Sequence, residues 1–403
     1  MRVSLRHPST IHPRPGRISE EPCPRPLPML SVEGPRVILG GHQGRDGLAV
    51  PVQPRARTLF GPRGACLAGD NGPLFVADTG HHRLLIWPDR PETDDQPAEV
   101  VIGQPDFCSE GRNAKGDVGA STLNVPTGVA AANGILAVAD AWNHRVLIWH
   151  EFPRTSNQPA DVVLGQADFT GGLANRGLDA PGADTLNWCY GVTIANGRLF
   201  VADTGNRRVL MWHRVPERNG TPADLVLGQA DLACRDENAG QGIGAFGMRW
   251  PHALVLADDA LMVADAGNNR VMVWRSLPQS NGAPCDFVLG QAGVTHQEYN
   301  AASYYPTAAT VNMPYGLAQL GRQLVIADTA NSRLIGFDIG WLAMGAAATY
   351  LTGQRQFSEK GDNRWAPACR DSLCWPYGVS ACGRHLVVAD SGNNRVMLWE
   401  TAS

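Results

Sequence analysis

The amino-acid sequence predicts an all-β fold, a six-bladed β-propeller with four strands in each blade. The stretch Val263–Trp274 has close relatives at five other places along the chain, and its aspartate recurs at intervals of 62 or 63 residues, as Asp78, Asp140, Asp203, Asp265, Asp328 and Asp390. Each repeat also contains short runs of Val, Ile, Leu and Trp bounded by Gly, Asn and Pro, which is the pattern of β-strands. Four such runs in each of six serial units indicate a propeller.

The composition excludes two classes of partner. Hydrophobic residues make up 43% of the chain, and the formal net charge is −4. Without an excess of positive charge, there is no overall field to attract nucleic acid or an anionic membrane. No apolar run approaches the ~18 residues that a membrane-spanning helix needs. We therefore expect neither nucleic acid nor a membrane among the partners.

The cysteines and lysines bear on the compartment and the source. The nine cysteines are scattered, and none forms a Cys-x-x-Cys pair. An odd number without a regular framework favours reduced thiols, and therefore a cytoplasmic location.

Lys115 and Lys360 are the only lysines, so arginine carries nearly all of the positive charge. This skew indicates a GC-rich genome rather than a phosphate-binding surface.

Residues 1–34 are predicted to be a leader separate from the propeller, which we expect to occupy residues 35–403. The leader is rich in arginine and contains prolines at positions 8, 13, 15, 22, 24, 26 and 28. Proline does not fit a regular helix or a central strand. We therefore expect the leader to be disordered.

Four segments recur in the same order in every repeat. The first is similar to Val-Leu-Gly-Gln and is followed by a loop of about twenty residues rich in Gly, Asn, Asp and Ala. The second begins with Pro-x-Gly, the third ends with Val-Ala-Asp, and the fourth is similar to Arg-Val-Leu-Ile-Trp. The chain enters the first repeat at Val37–Gly40 and leaves the last at Trp399.

Pro-x-Gly followed by Val-Ala-Asp-Thr-Gly-Asn-x-Arg-Val resembles the NHL repeat, and the resemblance covers about residues 35–399. It implies that Pro-x-Gly opens the innermost strand, that Val-Ala-Asp ends the second, and that Arg-Val-x-x-Trp is the third. The Val-Leu-Gly-Gln segment is then the outermost strand. The first strand, Val37–Gly40, is therefore expected to complete the last blade and to leave no open sheet edge.

Residues present in every repeat are interpreted as structural. Each recurring aspartate has an arginine five residues later, and this pair can satisfy backbone groups buried in a tight turn. The aromatic residues that end the fourth segment are interpreted as wedges between blades, because large rings bury much apolar surface. They are Trp87, Trp149, Trp212, Trp274, Phe337 and Trp399.

Function is expected where the repeats differ. The residue inside Pro-x-Gly varies as Arg63, Thr127, Tyr190, His252, Tyr315 and Tyr377. The repeat register predicts that these side chains form a ring at the mouth of the central channel. If the protein is an enzyme, this ring supplies the catalytic candidates: Arg63 as an anion clamp, His252 as a general base, and Tyr190, Tyr315 and Tyr377 as hydroxyl donors.

A second ring lies one residue before the proline, with tryptophan at three of its six positions. Trp188, Trp250 and Trp375 are therefore candidates for an apolar vestibule that binds a ligand, together with the neighbouring Arg249 and Cys189. The alternative is that these aromatic residues only pack the long loops.

Two departures from the repeat suggest further chemistry. Cys189 replaces the proline of its unit, and His252 lies in the next unit, so the pair could form an activated thiol or part of a metal site. The alternative is drift of a buried small residue. A divalent metal, Zn or Ca, at His252 is a related hypothesis, although a catalytic zinc usually takes three protein ligands. The peptidyl-hydroxyglycine amidating lyase, a propeller of similar architecture, uses His-bound zinc with Tyr and Arg; this chain offers only the Tyr and Arg by position.

Two functions are compatible with these patterns. The first is a rigid scaffold that binds a peptide, a protein or a small polar ligand on its axial loop face. The second is a hydrolase or lyase, metal-dependent or not and similar to the amidating lyase or to lactonases, with its site at the channel mouth.

Overall fold

A computed structural model describes residues 25–41 and 52–402 of the chain. The strands of these residues are β1 (Leu27–Pro28), β2 (Val37–Gly40), β3 (Gly64–Leu67), β4 (Leu74–Asp78), β5 (Arg83–Trp87), β6 (Val100–Ile102), β7 (Pro126–Ala132), β8 (Ile135–Asp140), β9 (Arg145–Trp149), β10 (Val162–Leu164), β11 (Cys189–Ala195), β12 (Arg198–Asp203), β13 (Arg208–Trp212), β14 (Leu225–Leu227), β15 (Pro251–Ala257), β16 (Ala260–Asp265), β17 (Arg270–Trp274), β18 (Phe287–Leu289), β19 (Pro314–Leu320), β20 (Gln323–Asp328), β21 (Arg333–Asp338), β22 (Tyr350–Thr352), β23 (Pro376–Cys382), β24 (His385–Asp390) and β25 (Arg395–Glu400).

These strands form the predicted six-bladed propeller. Blades one to four are β3–β6, β7–β10, β11–β14 and β15–β18; blade five is β19–β22 extended by β1, and blade six is β23–β25 completed by β2. Within each blade, successive strands of the repeat pair antiparallel. The innermost strands β3, β7, β11, β15, β19 and β23 contact one another in a closed ring around the axis.

The helices of the described residues are short 3-10 turns. One group follows the recurring aspartates: Thr79–His81, Ala141–Asn143, Thr204–Asn206, Ala266–Asn268, Thr329–Asn331 and Ser391–Asn393. A second group lies in the long loops before the innermost strands: Arg112–Lys115, Ala174–Gly177, Glu237–Gly240, Tyr299–Ala302 and Asp362–Trp365. The remaining turn, Ile339–Trp341, follows β21. None of these helices is long and apolar enough to span a membrane.

The predicted closure by the first strand is confirmed. β2 pairs antiparallel with β25, with Val37 opposite Leu398 and Gly40 opposite Arg395. Both Val37 and Leu39 are 1% exposed and pack between blades six and one. The burial of these two side chains, together with the pairing of β2 with β25, thus joins the beginning of the described chain to its last blade.

The described part of the predicted leader packs on the propeller. Leu27 and Pro28 pair in parallel with Tyr350 and Leu351 at the edge of blade five. Met29 and Leu30 are nearly fully buried between blades five and six. The predicted boundary between leader and propeller at residue 35 is therefore corrected: residues 25–34 pack on the propeller. The apolar side chains of Met29 and Leu30 are buried between two blades, and an edge strand tolerates proline. Residues 1–24 lie outside the described residues, so the disorder predicted for them stays a prediction.

The structural interpretation of the Asp–Arg pairs is confirmed by their geometry. Asp140 is fully buried, and its Oδ2 accepts hydrogen bonds from Arg145 Nε (2.7 Å) and Asn143 Nδ2 (2.7 Å). The remaining guanidinium nitrogens of Arg145 donate to carbonyl oxygens of the surrounding loops. The same ion pair recurs in the other blades.

The aromatic wedges are also where the repeat predicts them. Trp87, Trp149 and Trp399 are at most 1% exposed, and the other three are at most 3% exposed. The indole N–H of Trp87 donates to Gln96 O (2.9 Å), so its polar group is satisfied within the blade. These rings therefore fill the space between blades and offer no stacking surface to a ligand.

Candidate functional site on the loop face and in the axial channel

The long loops before the innermost strands, here called the leading loops, lie on the same face as the turns after the recurring aspartates. Hydrogen bonds join the two sets: Trp142 N donates to Asn124 O, and Gly205 N donates to Asn187 O. We call this side of the ring the loop face. The variable residues inside Pro-x-Gly lie at its centre, where the innermost strands begin.

The predicted axial ring is formed, and its aromatic members stack. The ring centroids of Tyr190 and His252 lie 4.3 Å apart, those of His252 and Tyr315 also 4.3 Å apart with an interplanar angle of 15°, and those of Tyr315 and Tyr377 4.8 Å apart. Arg63 Cζ lies 4.9 Å from the ring centroid of Tyr377 and 6.0 Å from that of Tyr190. The five catalytic candidates are thus brought together as a plug of stacked side chains.

The hydroxyl of Thr127, the sixth member of the axial ring, is not available to a ligand. It is fully buried, and its Oγ1 donates to Tyr190 O at 2.7 Å.

Glycine after the variable residue lets neighbouring innermost strands approach closely. A Cβ atom built on Gly128 would lie 2.7 Å from Tyr190 O, and one built on Gly378 would lie 2.5 Å from Arg63 O. In five blades the backbone carbonyl of the variable residue therefore packs against the glycine of the preceding blade, whereas the blade that precedes Tyr315 has Ala253 at this position. This is the physical reason for Pro-x-Gly, and it fixes how near the axial side chains come to one another.

Burial sets the protonation states in the plug. The Nδ1 of His252 lies 2.9 Å from Trp250 O, which can only accept, so Nδ1 carries the proton. Burial lowers the pKa of His252 to about 4, so the imidazole is neutral at pH 7. Burial raises the pKa of Tyr315 to about 12 and that of Tyr190 further. The two phenols are therefore hydrogen-bond donors and not bases at neutral pH.

Cys189 and His252 do not form the activated pair suggested by the sequence. The thiol of Cys189 is fully buried and donates to Arg145 O at 3.1 Å. Burial, followed by the charges of Asp203 and Asp140, raises the pKa of this thiol well above its usual value. Cys189 therefore stays protonated and does not reach the surface where a ligand would bind.

No metal cluster surrounds His252. Within residues 25–41 and 52–402, no group of three His, Cys, Asp or Glu side chains is arranged to hold a metal ion. His252 also commits one ring nitrogen to Trp250 O, which leaves a single nitrogen as a potential ligand.

The three predicted tryptophans have two different environments. Trp188 is half-buried and packs edge-on against Tyr190 and His252, with ring centroids 6.2 Å from each. Trp250 is 36% exposed and Trp375 is 37% exposed, both on the loop face. Arg249 Cζ lies 5.0 Å from the Trp250 ring centroid, so this pair forms one exposed cation–π unit. Trp188 therefore has a packing role, which was the alternative interpretation of these tryptophans. Trp250 and Trp375 are available to a ligand.

Comparisons with known proteins agree with the repeat pattern. The family model of the NHL repeat matches residues 123–149. The human and chicken proteins called NHL repeat-containing protein 2 are each 24% identical to this chain, over 354 and 359 residues, which is 81% of the chain. The ring itself contains six copies of the matched unit. The chain is a six-bladed propeller that contains an NHL repeat.

The NHL-repeat propeller corresponds to part of these relatives, since it spans 44% of their length. Among solved structures, a structural-genomics protein of unknown function from Bacteroides thetaiotaomicron VPI-5482 aligns with a TM-score of 0.50 and 13% identity, covering 94% of this chain and 84% of that one. A similarity at this level of identity shows the fold alone.

One leading loop of the NHL-repeat propeller departs from the others. In five blades the residue before the innermost strand has a left-handed backbone, at Gly61, Val125, Trp188, Met313 and Trp375. Its N–H donates to a side chain at the end of the preceding blade's turn, as in Trp188 N to His144 Nδ1 (2.8 Å). Before blade four this position holds Arg207, which has no acceptor, and Trp250 N donates to Asp265 Oδ1 (3.3 Å) instead. Trp250 and Arg249 are thereby presented differently from their counterparts.

Sequence analysis missed the most exposed aromatic cluster of the NHL-repeat propeller. Tyr304, Tyr305 and Trp365 are 59%, 62% and 73% exposed, and they line a groove of about 760 Å³ between two leading loops. The Tyr304 and Tyr305 rings are perpendicular, with centroids 5.0 Å apart, and Lys360 Nζ lies 3.6 Å from the Tyr304 centroid. The available signal was three large aromatic residues in segments otherwise rich in Gly, Asn and Ala.

Proposed function

We propose that this NHL-repeat propeller is a scaffold that binds a protein or peptide partner on its loop face. The observation that supports this proposal is the uneven distribution of exposed hydrophobic side chains. In the described residues, those on the loop face are Phe60, Trp142, Leu173, Leu178, Trp250, Tyr299, Tyr304, Tyr305, Trp365 and Trp375, and those elsewhere are Leu27, Val32, Trp341 and Met344. A concentration of exposed apolar side chains on one face is typical of an interaction surface.

The groove lined by Tyr304, Tyr305 and Trp365 is the proposed centre of this surface. Tyr and Trp supply large contact areas with few rotatable bonds, and they are the residues that most often dominate binding energy at protein interfaces. Trp250 with Arg249, and Trp375, extend the aromatic character across the face. A ring of rigid blades holds these groups in place, so little conformational entropy is lost on binding.

The alternative, a hydrolase or lyase at the channel mouth, is less well supported by the geometry. Its candidate base, His252, is 3% exposed, with its Nδ1 proton given to Trp250 O. Its neighbours Tyr190 and Tyr315 both pack against the imidazole, with ring centroids 4.3 Å from it. Among the described residues, no hydrogen bond joins His252 to a nucleophile or to an acid, as a catalytic set would require.

The proposal predicts that truncation of the aromatic cluster abolishes partner binding. The triple variant Tyr304→Ala, Tyr305→Ala, Trp365→Ala should retain its fold, because exposed substitutions change stability by less than about 0.5 kcal/mol each. It should lose a partner that the wild-type protein captures from its native cell extract, and its affinity for that purified partner should fall roughly 30-fold or more, as for hot-spot residues.

The matched control is Trp341→Ala with Met344→Ala, which removes exposed hydrophobic side chains from the opposite face. This double variant should bind the same partner with unchanged affinity in calorimetry. A partner that binds all three proteins equally would rule out the loop face as the binding surface.

We further propose a cytoplasmic location. The supporting observation is that the eight cysteines of the described residues are free thiols. Fractionation of the source cells with an antibody against the propeller would test this proposal; recovery from an oxidising extracellular fraction would contradict it.

A further inference from the structure

The guanidinium group of Arg63 is a cation without an anionic partner. The arginines that follow the recurring aspartates each have a carboxylate within 2.7–2.9 Å. By contrast, no carboxylate pairs with Arg63 among the described residues; its neighbours are the rings of Tyr190 and Tyr377, and the neutral Tyr190 hydroxyl lies within reach of the guanidinium. Arg63 is partly buried at the axis, where an uncompensated charge is costly.

Arg63 lines the axial channel. The axial channel has a volume of about 350 Å³ and runs from the plug along the innermost strands towards the opposite face. Its wall is mostly aliphatic, with Val129, Val192, Leu254 and Leu317 among the lining residues. No carboxylate and no second cation belong to the described lining. A cavity of this size accommodates a small ligand.

Two further polar groups in the lining lack partners. The hydroxyl of Tyr190 is buried and makes no hydrogen bond of good geometry, although it lies close enough to Arg63 for the guanidinium to affect its pKa. Ser380 Oγ is also buried and without a partner. Buried polar groups are normally paired, so these two atoms in the channel lining are free to contact a ligand.

We propose that the axial channel binds a small organic monocarboxylate, whose carboxylate lies against Arg63 and the Tyr190 hydroxyl and whose aliphatic body lies along the channel wall. The planar guanidinium matches a carboxylate in a bidentate pair. A phosphate dianion would leave one charge uncompensated, because Arg63 is the one cation of the lining. A cationic ligand would meet the Arg63 charge and no acid.

This site is distinct from the proposed partner surface in both location and chemistry. His252 stays neutral and adds no second charge, and the buried phenol of Tyr190 stays protonated and can donate. Failure of carboxylate binding would therefore leave protein binding on the loop face unaffected, and the two proposals are tested separately.

Titration calorimetry with hexanoate, compared with 1-hexanol and hexylammonium, tests the charge requirement. The wild-type protein should bind hexanoate and should bind neither the neutral nor the cationic analogue measurably. Arg63→Met should weaken hexanoate binding roughly tenfold or more, as expected when a charge-assisted pair is lost. The control Arg218→Met, an exposed arginine in the β13–β14 loop, should bind as the wild type does. Equal binding by Arg63→Met, equal binding of 1-hexanol, or no binding of any straight-chain carboxylate from acetate to octanoate would overturn the proposal.

A second measurement does not depend on the folding of a variant. Phenylglyoxal modifies accessible arginines, and its adduct on Arg63 can be quantified by mass spectrometry of the peptide that contains it. Hexanoate should slow modification of Arg63 in the wild-type protein and should leave that of Arg218 unchanged. Equal rates at Arg63 with and without hexanoate would overturn the site.

Discussion

Each blade buries one aspartate whose two carboxylate oxygens have different partners. In blade two, Asp140 Oδ1 accepts from Asn124 N (2.6 Å) in the leading loop, whereas Oδ2 accepts from Arg145 and Asn143 in the turn. One carboxylate therefore joins a leading loop, a turn and the third strand. Because the residue recurs in every blade, it explains how six loops of different sequence are anchored alike.

Asp140→Ala should destabilise the protein by about 3–5 kcal/mol, because the guanidinium of Arg145 would remain buried without its counter-charge. Chemical unfolding measured by tryptophan fluorescence gives the difference. Glu151→Ala, an exposed change in the following loop of the same blade, is the control and should lie within about 0.5 kcal/mol of the wild type. Equal stability of the two variants would mean that the ion pair is not a structural element.

His252 should make stability depend on pH. Its folded-state pKa of about 4 is below the usual value of 6.5. Between pH 4 and pH 6.5 the histidine is therefore mainly protonated in the unfolded chain and mainly neutral in the native state. The stabilisation is complete above pH 6.5 and is lost as the pH falls towards 4. Between pH 7 and pH 4.5 the free energy of unfolding should therefore drop by about 2–3 kcal/mol more in the wild type than in His252→Phe.

The other buried histidines of the described chain are present in both proteins, so their contribution cancels in this comparison. Denaturant titrations at the two pH values provide the measurement. Identical pH dependence in wild type and variant would show that the imidazole is protonated as easily in the native state as in the unfolded chain.

The sequence was sufficient to predict which side chains meet at the axis, because the repeat fixes the position of each residue in its blade. It did not predict that Tyr190, His252 and Tyr315 would stack into a plug, since rotamers depend on the packing of three neighbouring strands. It also did not predict that Cys189 points into the blade. The repeat predicts where the backbone of residue 189 lies, because the other blades have proline at this position. It does not predict the direction of the cysteine side chain.

At the scale of the element, the leading loops show the limit of repeat-based prediction. Strand positions followed from the repeat pattern, and the closing strand followed from the resemblance to the NHL repeat; the pairing of β2 with β25 confirms it. Loop conformation instead depends on a contact between blades: an acceptor side chain such as His144, at the end of one turn, holds the residue before the next innermost strand in a left-handed conformation. Arg207 cannot act as an acceptor, and the loop before blade four therefore takes another path.

The groove of Tyr304, Tyr305 and Trp365 escaped prediction for a related reason. These residues lie in leading loops that differ in sequence and have no counterpart in the other blades. Their proximity results from the ring, which brings the loops before blades five and six side by side. Only the angular spacing of the blades, and no local pattern, places Tyr305 near Trp365.

At the scale of the molecule, stability should depend on the seam between β2 and β25. Deletion of residues 1–41 removes Val37 and Leu39, each of which contributes about 1.5–3 kcal/mol through burial. It also exposes the edge of β25, where another chain can pair. The shortened protein should therefore unfold at a lower temperature and self-associate, as measured by calorimetry and by light scattering.

A circular permutant is the matched control for this deletion. Residues 25–41 would follow Ala402 through a linker of about six Gly and Ser residues, which spans the short distance implied by the hydrogen bond from Ala402 N to Met29 O. The permutant should remain monomeric, with stability close to that of the wild type. If the deletion variant were as stable as the permutant, closure by β2 would not hold the ring.

The direction of β25 decides how the protein can be attached to a solid support. This strand begins at the turn Ser391–Asn393 on the loop face and runs away from it, so residue 402 lies on the far side, and residue 25 lies there too, beside the start of β22. A tag joined at either of these two residues leaves the loop face towards the solution. Coupling through lysine side chains would have the opposite result, because the only two lysines, Lys115 and Lys360, lie in leading loops. A biosensor surface made by that chemistry would be linked through the proposed recognition face and would conceal it.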